Sequence, residues 1–331
     1  MTTEHKTPLR IATQAEPDPT DEALALIQQM GVDQVVLWVK GEKACYDYYV
    51  AQREAFGAAG IGIYALGNSA IHCQDAIVLN LPNRDEIIEL YKQHLRDLGA
   101  AGIPYTTHAH IGNGVWSSPA GTTRGGAETR ALDLDGEAFG GSPHGTFHRP
   151  LSHGRQYSED EIWQNYEYFV RQIVPVAEEA GVKIGVHPDD PPVATLAGVP
   201  RCFNNFENYR RALEIADSPN FGMCLCVGCW LEGGEAMGCD VFETIRYFSQ
   251  QNKLFKVHFR NVDRPGTQFV ETFLDDGYMD MFNVVKALAD VNFDGVLIPD
   301  HVPLMGGDPR IGTAYTIGYM KALIQRAEAG R

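Results

Sequence analysis

At 331 residues, with 44% hydrophobic and 21% charged residues, the chain has enough apolar material to bury a sizeable core, which argues against a disordered or fibrous polymer. Its formal net charge of −16 makes nucleic acid a poor general partner, and an anionic small molecule would need positive charge concentrated at its own site. The N-terminal MTTEHKTPLRIATQ lacks an apolar h-region and no stretch approaches the roughly 18 apolar residues of a membrane span, so a cytoplasmic protein without a membrane partner is expected.

In chain order, short β-type runs alternate with stretches of helical periodicity, the pattern of a parallel sheet with crossover helices. The first strand is read at Leu9 to Ala12, followed by a helix that Thr20 caps, Asp21 and Glu22 open and Gly31 stops. Strands at Gln34 to Leu37, Ile61 to Leu66 and Ile103 to Thr106 enclose helices at Glu42 to Ala59 and Arg84 to Leu98. After the fourth strand the rhythm breaks: Thr107 to Tyr157 is rich in Gly, Ser, Thr and His and carries Trp116, Arg124, Arg130, His144 and His148. A structureless loop of that length on the face where barrel active sites lie predicts a lid-like insertion, with Arg124 a candidate substrate contact.

The rhythm then resumes with a helix at Ser158 to Ala180 and strands at Lys183 to His187, Phe221 to Cys226, Leu254 to Phe259 and Val296 to Pro299. Helices at Asn205 to Ala216, Asp240 to Gln251, Asp280 to Val291 and Thr313 to Ala329 follow them in turn. Eight strands with eight helices predict one (β/α)8 barrel over residues 1–331, because open doubly wound sheets usually stop near six strands. No GxGxxG follows the first strand, which lowers a dinucleotide-binding reading.

The last four strands each end in a metal-binding residue type: GVHPDDPP offers His187, MCLCVGC offers Cys226, KVHFRN offers His258 and LIPDH offers Asp300. Singly, each is an ordinary polar group; a barrel, however, brings equivalent strand ends around one axis without any local motif. Two imidazoles, one thiolate and one carboxylate suit Zn²⁺, Mn²⁺, Fe²⁺ or Co²⁺ rather than Ca²⁺. Cys224, Cys226 and Cys229 form a competing thiolate cluster, but only three thiols are local, so Cys224 and Cys229 are read as buried small hydrophobes. The seven cysteines in all are odd in number, which favours thiols or ligands over a disulfide framework.

The segments HPDDPP, CVG, VHFRNV, ETFLDDGYMDM and PDH, in this order and spacing over Lys183 to Ala327, resemble mannonate dehydratase, a family of xylose-isomerase-like barrels. The resemblance implies one divalent metal, Mn²⁺ first, and the loss of water from D-mannonate to give 2-keto-3-deoxygluconate. Carried over by motif, it returns the same ligands, His187, Cys226, His258 and Asp300, and implies His301 and Tyr315 as catalytic acid or base. Arg260 is a candidate clamp for a substrate carboxylate, or else an ion-pair partner at the barrel mouth. Glu271 and Asp276 are expected near the ligands or the substrate hydroxyls. Of Asp189 and Asp190, one should face the site and the other cap the turn, and Asp189 is carried forward as the substrate contact.

Three departures from the family pattern, Val302, Leu274 and the run YTTHAHIGNGVW, point to a pocket with altered specificity around a retained metal site. A sugar isomerase or epimerase on the same barrel is the second reading, disfavoured because such enzymes gather paired Glu ligands. A non-catalytic metal-containing binding protein is the third. A homo-oligomer is plausible for such a barrel.

Overall fold

The computed structural model describes residues 8–330. Residues 1–7, where the reading of a leaderless N-terminus begins, lie outside the described residues, as does residue 331. Eight parallel strands form the centre: β1 (Arg10–Ala15), β2 (Gln34–Val39), β3 (Gly62–Asn68), β4 (Tyr105–Ala109), β5 (Lys183–His187), β6 (Phe221–Cys226), β7 (Leu254–Phe259) and β8 (Val296–Pro299). Hydrogen-bonded order runs β3, β2, β1, β8, β7, β6, β5, β4, and β3 also packs beside β4, which nearly closes the barrel.

Around it lie α1 (Asp21–Gln29), α2 (Tyr46–Ala58), α3 (Arg84–Ala101), α4 (Glu159–Ala180), α5 (Phe206–Ala216), α6 (Val241–Gln250), α7 (Met281–Asp290) and α8 (Pro309–Ala329). Local sequence sets their starts: Thr20 caps α1 through Ala23 N–H, Asn205 caps α5, and Ser158 with Glu161 makes a reciprocal capping box on α4. The last helix begins at Pro309 rather than Thr313, because Asp308 caps it and proline is well suited to the first helical turn. Strands β1 and β4 run on to Ala15 and Ala109, beyond the ends expected from their apolar runs, because their outer ends line a polar site. Among the described residues no helix is long and apolar enough to cross a membrane.

Two apolar layers hold the fold. The larger one seals the helices against the outside of the barrel, with Leu37, Leu66, Phe169, Ile184, Leu225 and Val257 fully buried. A smaller one, including Val36, Ala65, Tyr105, Phe255 and Ile298, plugs the lower barrel. Tyr105 can cross the interior because Gly185 faces it: a Cβ there would sit 1.9 Å from the phenol oxygen.

The insertion is not structureless, contrary to expectation. Val115–Ser117 pairs with Phe139–Ser142, which pairs with Gly145–Phe147; Gly121–Thr123 pairs with Ala127–Thr129. Ala131–Asp133 adds to Gln268–Thr272 from the loop after β7, so the insertion is stitched to the barrel mouth by backbone hydrogen bonds. Alternation too short to read as strands in the sequence becomes sheet because partners far along the chain satisfy its backbone groups.

Candidate active site at the barrel mouth

Parallel register aligns the ends of β5 to β8. Cys226 lies opposite His258, and His258 opposite Ile298, so Asp300, two residues on and just past the end of β8, comes beside them. The ligand atoms of His187, Cys226 and His258 lie within 4.8 Å of one another. Asp300 flanks that group, with Oδ1 3.4 Å from His258 Nδ1 and Oδ2 3.7 Å from Cys226 Sγ. His187 donates Nδ1–H to the Pro188 carbonyl at 2.7 Å, which leaves Nε2 as its free donor atom. Both nitrogens of His258 are buried without a hydrogen-bond partner. Two buried imidazole nitrogens without hydrogen-bond partners, beside a thiol and a carboxylate, fit a site for a cation.

The electrostatics agree with that fit. Burial alone would raise the Cys226 thiol, but the hydrogen bond from Cys229 and the charge of Arg260 hold it well below its usual value. Burial would likewise raise Asp300, and the His301 and His258 imidazoles overcome it and keep the carboxyl ionised. The thiol of Cys226 also accepts from the Cys229 amide at 3.4 Å, at the start of the short helix Val227–Gly233, where peptide dipoles favour a thiolate.

His301 sits next to the ligand set in a left-handed backbone conformation, φ 46°, that turns it off the end of β8. Its Nδ1 is 2.9 Å from Glu271 Oε1 and 2.5 Å from Arg260 Nη1. When the ring is charged, Nδ1–H donates to Glu271; when it is neutral, the same atom accepts from Arg260. Burial lowers its affinity for a proton, yet Glu271 and Asp300 prevail and raise it to about 9.

Arg260 does not reach open space as a free clamp would. Its guanidinium is buried and shared among Glu232 at 2.7 Å, Glu271 at 3.0 Å and Asp190 at 3.3 Å, the ion-pair alternative of the sequence reading. Gly228 makes room for it, since a Cβ there would lie 2.0 Å from Nε. A second guanidinium completes the network: Arg130, from the insertion, meets Asp190 Oδ1 at 2.5 Å and Glu271 Oε1 at 2.7 Å. Glu232, buried between Asp190 and Glu271, is pushed well above the usual carboxyl range by burial and by those like charges.

The acidic pair after His187 resolves against the residue carried forward. Asp190 lines the cavity, whereas Asp189 turns away, accepting Phe203 N–H at 2.7 Å and pairing with Arg201. Asp189 therefore holds the turn instead of touching substrate. Arg124, Asp276 and Tyr315 lie apart from the ligand set on the rim, where Arg124 pairs with Asp275 at 2.8 Å and donates to the Tyr315 hydroxyl at 3.3 Å. Asp276 is 3.8 Å from the same guanidinium. None of the three lines the central cavity, and neither do Val302 or Leu274.

That cavity, about 170 Å³, is walled by Thr107, His187, Asp190, Lys256, His258 and His301 among others. Arg130, Lys256 and Thr107 were not singled out by sequence reasoning as site residues, and Asp190 entered only as one of a pair of which either could face the site. Lys256 carried a signal, because alternation places it on the face of His258 two residues on; Arg130 carried none, its partners being 60 and 141 residues away.

Fold and site together define an enzyme on a parallel (β/α)8 barrel with its polar site at the C-terminal ends of the strands. Structures such as L-ribulose 3-epimerase (12% identity, TM-score 0.64, covering 97% of this chain and 96% of that one) share the fold alone. The family model described as D-mannonate dehydratase (UxuA) matches residues 138–329. The mannonate dehydratase of Streptococcus pneumoniae (strain 70585) is 34% identical over 80% of this chain and 76% of its own. Mannonate dehydratase 2 of Halalkalibacterium halodurans is 31% identical over 80% of this chain and 83% of its own. The crystal structure of mannonate dehydratase from Streptococcus suis serotype 2 superposes with TM-score 0.84 at 28% identity, covering 98% of this chain and 95% of that one. The chain belongs to the mannonate dehydratase family.

Proposed function

We propose that this chain is a metal-dependent hydro-lyase that removes water from a sugar acid, D-mannonate being the first candidate, to give a 2-keto-3-deoxy acid. The observation that carries the reading is the gathering of His187, Cys226, His258 and Asp300 at four strand ends beside His301. Family membership supports the hydro-lyase class and disfavours both the isomerase or epimerase reading and the non-catalytic one. Those four side chains would hold one divalent cation, Mn²⁺ first, with Fe²⁺, Co²⁺ and Zn²⁺ as alternatives. When bound, the cation supplies positive charge to the substrate carboxylate or its neighbouring hydroxyl.

Dehydration needs one group to take the proton α to the carboxylate and another to protonate the departing hydroxide. His301 suits the second task. Glu271 anchors its Nδ1–H, so Nε2–H is the proton available to the leaving oxygen, and the raised affinity keeps the ring charged near neutrality. Tyr315 is proposed as the partner proton carrier, acting from the rim beside Arg124. Arg260 and Arg130 act as positioning residues: they fix Glu271, which fixes His301.

The test is direct. Protein stripped by chelator and reloaded with Mn²⁺ is incubated with D-mannonate and its stereoisomeric aldonates, and the 2-keto-3-deoxy product is measured. Metal-dependent product from at least one aldonate is expected; product from none removes the proposal. Solvent deuterium entering recovered sugar without water loss would transfer the site to the epimerase reading.

A further inference from the structure

Lys256 is a basic cavity residue that neither the ligand set nor the proton carriers account for. It lies on β7 two residues before His258, is 1% exposed, and lines the same cavity as His187, Asp190 and His301. Its ammonium donates to Thr107 Oγ1 on β4 at 2.7 Å and stands 5.4 Å above the Tyr105 ring. Among the described residues no carboxylate oxygen lies within 4.0 Å of it, although four carboxylates crowd Arg260 nearby. Cys224 is its register partner across the ladder, and it offers a thiol rather than a carboxylate.

A buried cation with one neutral hydrogen-bond partner is costly to hold, and an ammonium has three protons to place. The residue lines a cavity of about 170 Å³, next to the ligand set. An ammonium in that wall with no carboxylate partner favours an anionic guest, and a substrate carboxylate supplies one. When the proton α to that carboxylate is lost, a second negative charge spreads onto the carboxylate oxygens, and a fixed ammonium there stabilises it.

We infer that Lys256, held by Thr107, binds the substrate carboxylate and makes the site select acids over their uncharged analogues. The inference rests on the sugar-acid reading above. Metal-free protein separates the two, because the contact of Lys256 does not require the ion. Binding of D-mannonate and of its uncharged amide is measured by calorimetry on metal-free wild type, Lys256→Met and Lys256→Gln. Melting temperature and the amount of Mn²⁺ taken up on reloading report whether each variant is folded.

Wild type is expected to prefer the acid over the amide by on the order of 10- to 100-fold, the worth of a charge-assisted hydrogen bond. Both variants should bind acid and amide alike, while still melting cooperatively and retaining Mn²⁺. A variant that keeps the wild-type preference overturns the inference and leaves the sugar-acid reading standing. Wild type that binds neither D-mannonate nor any stereoisomer, with or without Mn²⁺, overturns both. In the metal-loaded enzyme Lys256→Met should raise KM and lower kcat together, whereas a merely structural lysine would change acid and amide binding equally.

Discussion

Arg260 and Arg124 each sit among acidic side chains at the barrel mouth, but Arg260 is 1% exposed and shared by Asp190, Glu232 and Glu271, whereas Arg124 is 43% exposed and meets Asp275. Composition makes them look equivalent. Burial makes them different objects: in the interior, removing one partner strands the others without water, while at the rim solvent replaces whatever is lost. The inner network is also the one that reaches the chemistry, through the single oxygen of Glu271 that meets Arg130, Arg260 and His301. The outer cluster, in which Arg124 also reaches the Tyr315 hydroxyl, lies off the central cavity.

The sharpest contrast is in rate. His301→Asn should lower kcat by on the order of 10²- to 10⁴-fold, measured at a temperature where the variant still melts cooperatively above it, as expected for a lost proton carrier. Tyr315→Phe tests whether the rim shares that role: a loss of similar size places Tyr315 in the reaction, and wild-type turnover confines it to the rim.

Stability gives the next largest effect. Arg260→Met should destabilise the fold by about 3–5 kcal/mol, because Asp190, Glu232 and Glu271 lose the guanidinium they surround. Denaturant unfolding measures this, and a cost below about 1 kcal/mol would mean that Arg130 alone balances the cluster.

A pH profile follows from Glu271. His301 is raised from 6.5 to about 9, so its imidazolium adds stability that is fully present below pH 6.5 and lost as pH rises toward about 9. If the charged ring is the acid, kcat should fall through the same alkaline range. Glu271→Gln removes the main favourable charge and should move that limb to lower pH; an unmoved limb would assign it to another group. Smallest of all, Arg124→Ala should cost under about 1 kcal/mol, and less at high salt, since the pair is largely solvated.

Much of the fold was legible before any coordinates. Alternating β-runs and 3.6-residue periodicity located the eight barrel strands and the eight helices around them, though not the short helices Asp75–Val78 and Val227–Gly233, and four strands, Lys183–His187 through Val296–Pro299, match residue for residue. Those four have dense apolar runs closed by a turn, a signal that depends on neighbours in sequence. The insertion reads as structureless in the sequence because its strands are only three or four residues long and one of them pairs with Gln268–Thr272, far along the chain. Asp189 and Asp190 could not be separated either: adjacent residues in a turn differ in direction by backbone angles that Pro188, Pro191 and Pro192 constrain but do not announce.

By itself, then, the sequence determined the barrel, through periodicity, and the residue types at its strand ends, through position after each apolar run. Tertiary structure decided which charged side chains are inside. Arg260, Arg130, Asp190, Glu232 and Glu271 come from five separate segments, and whether such groups form a buried network or a solvated rim depends on what excludes water from them. Exclusion of water is a property of the whole packed mouth, insertion included, and no local stretch of chain encodes it.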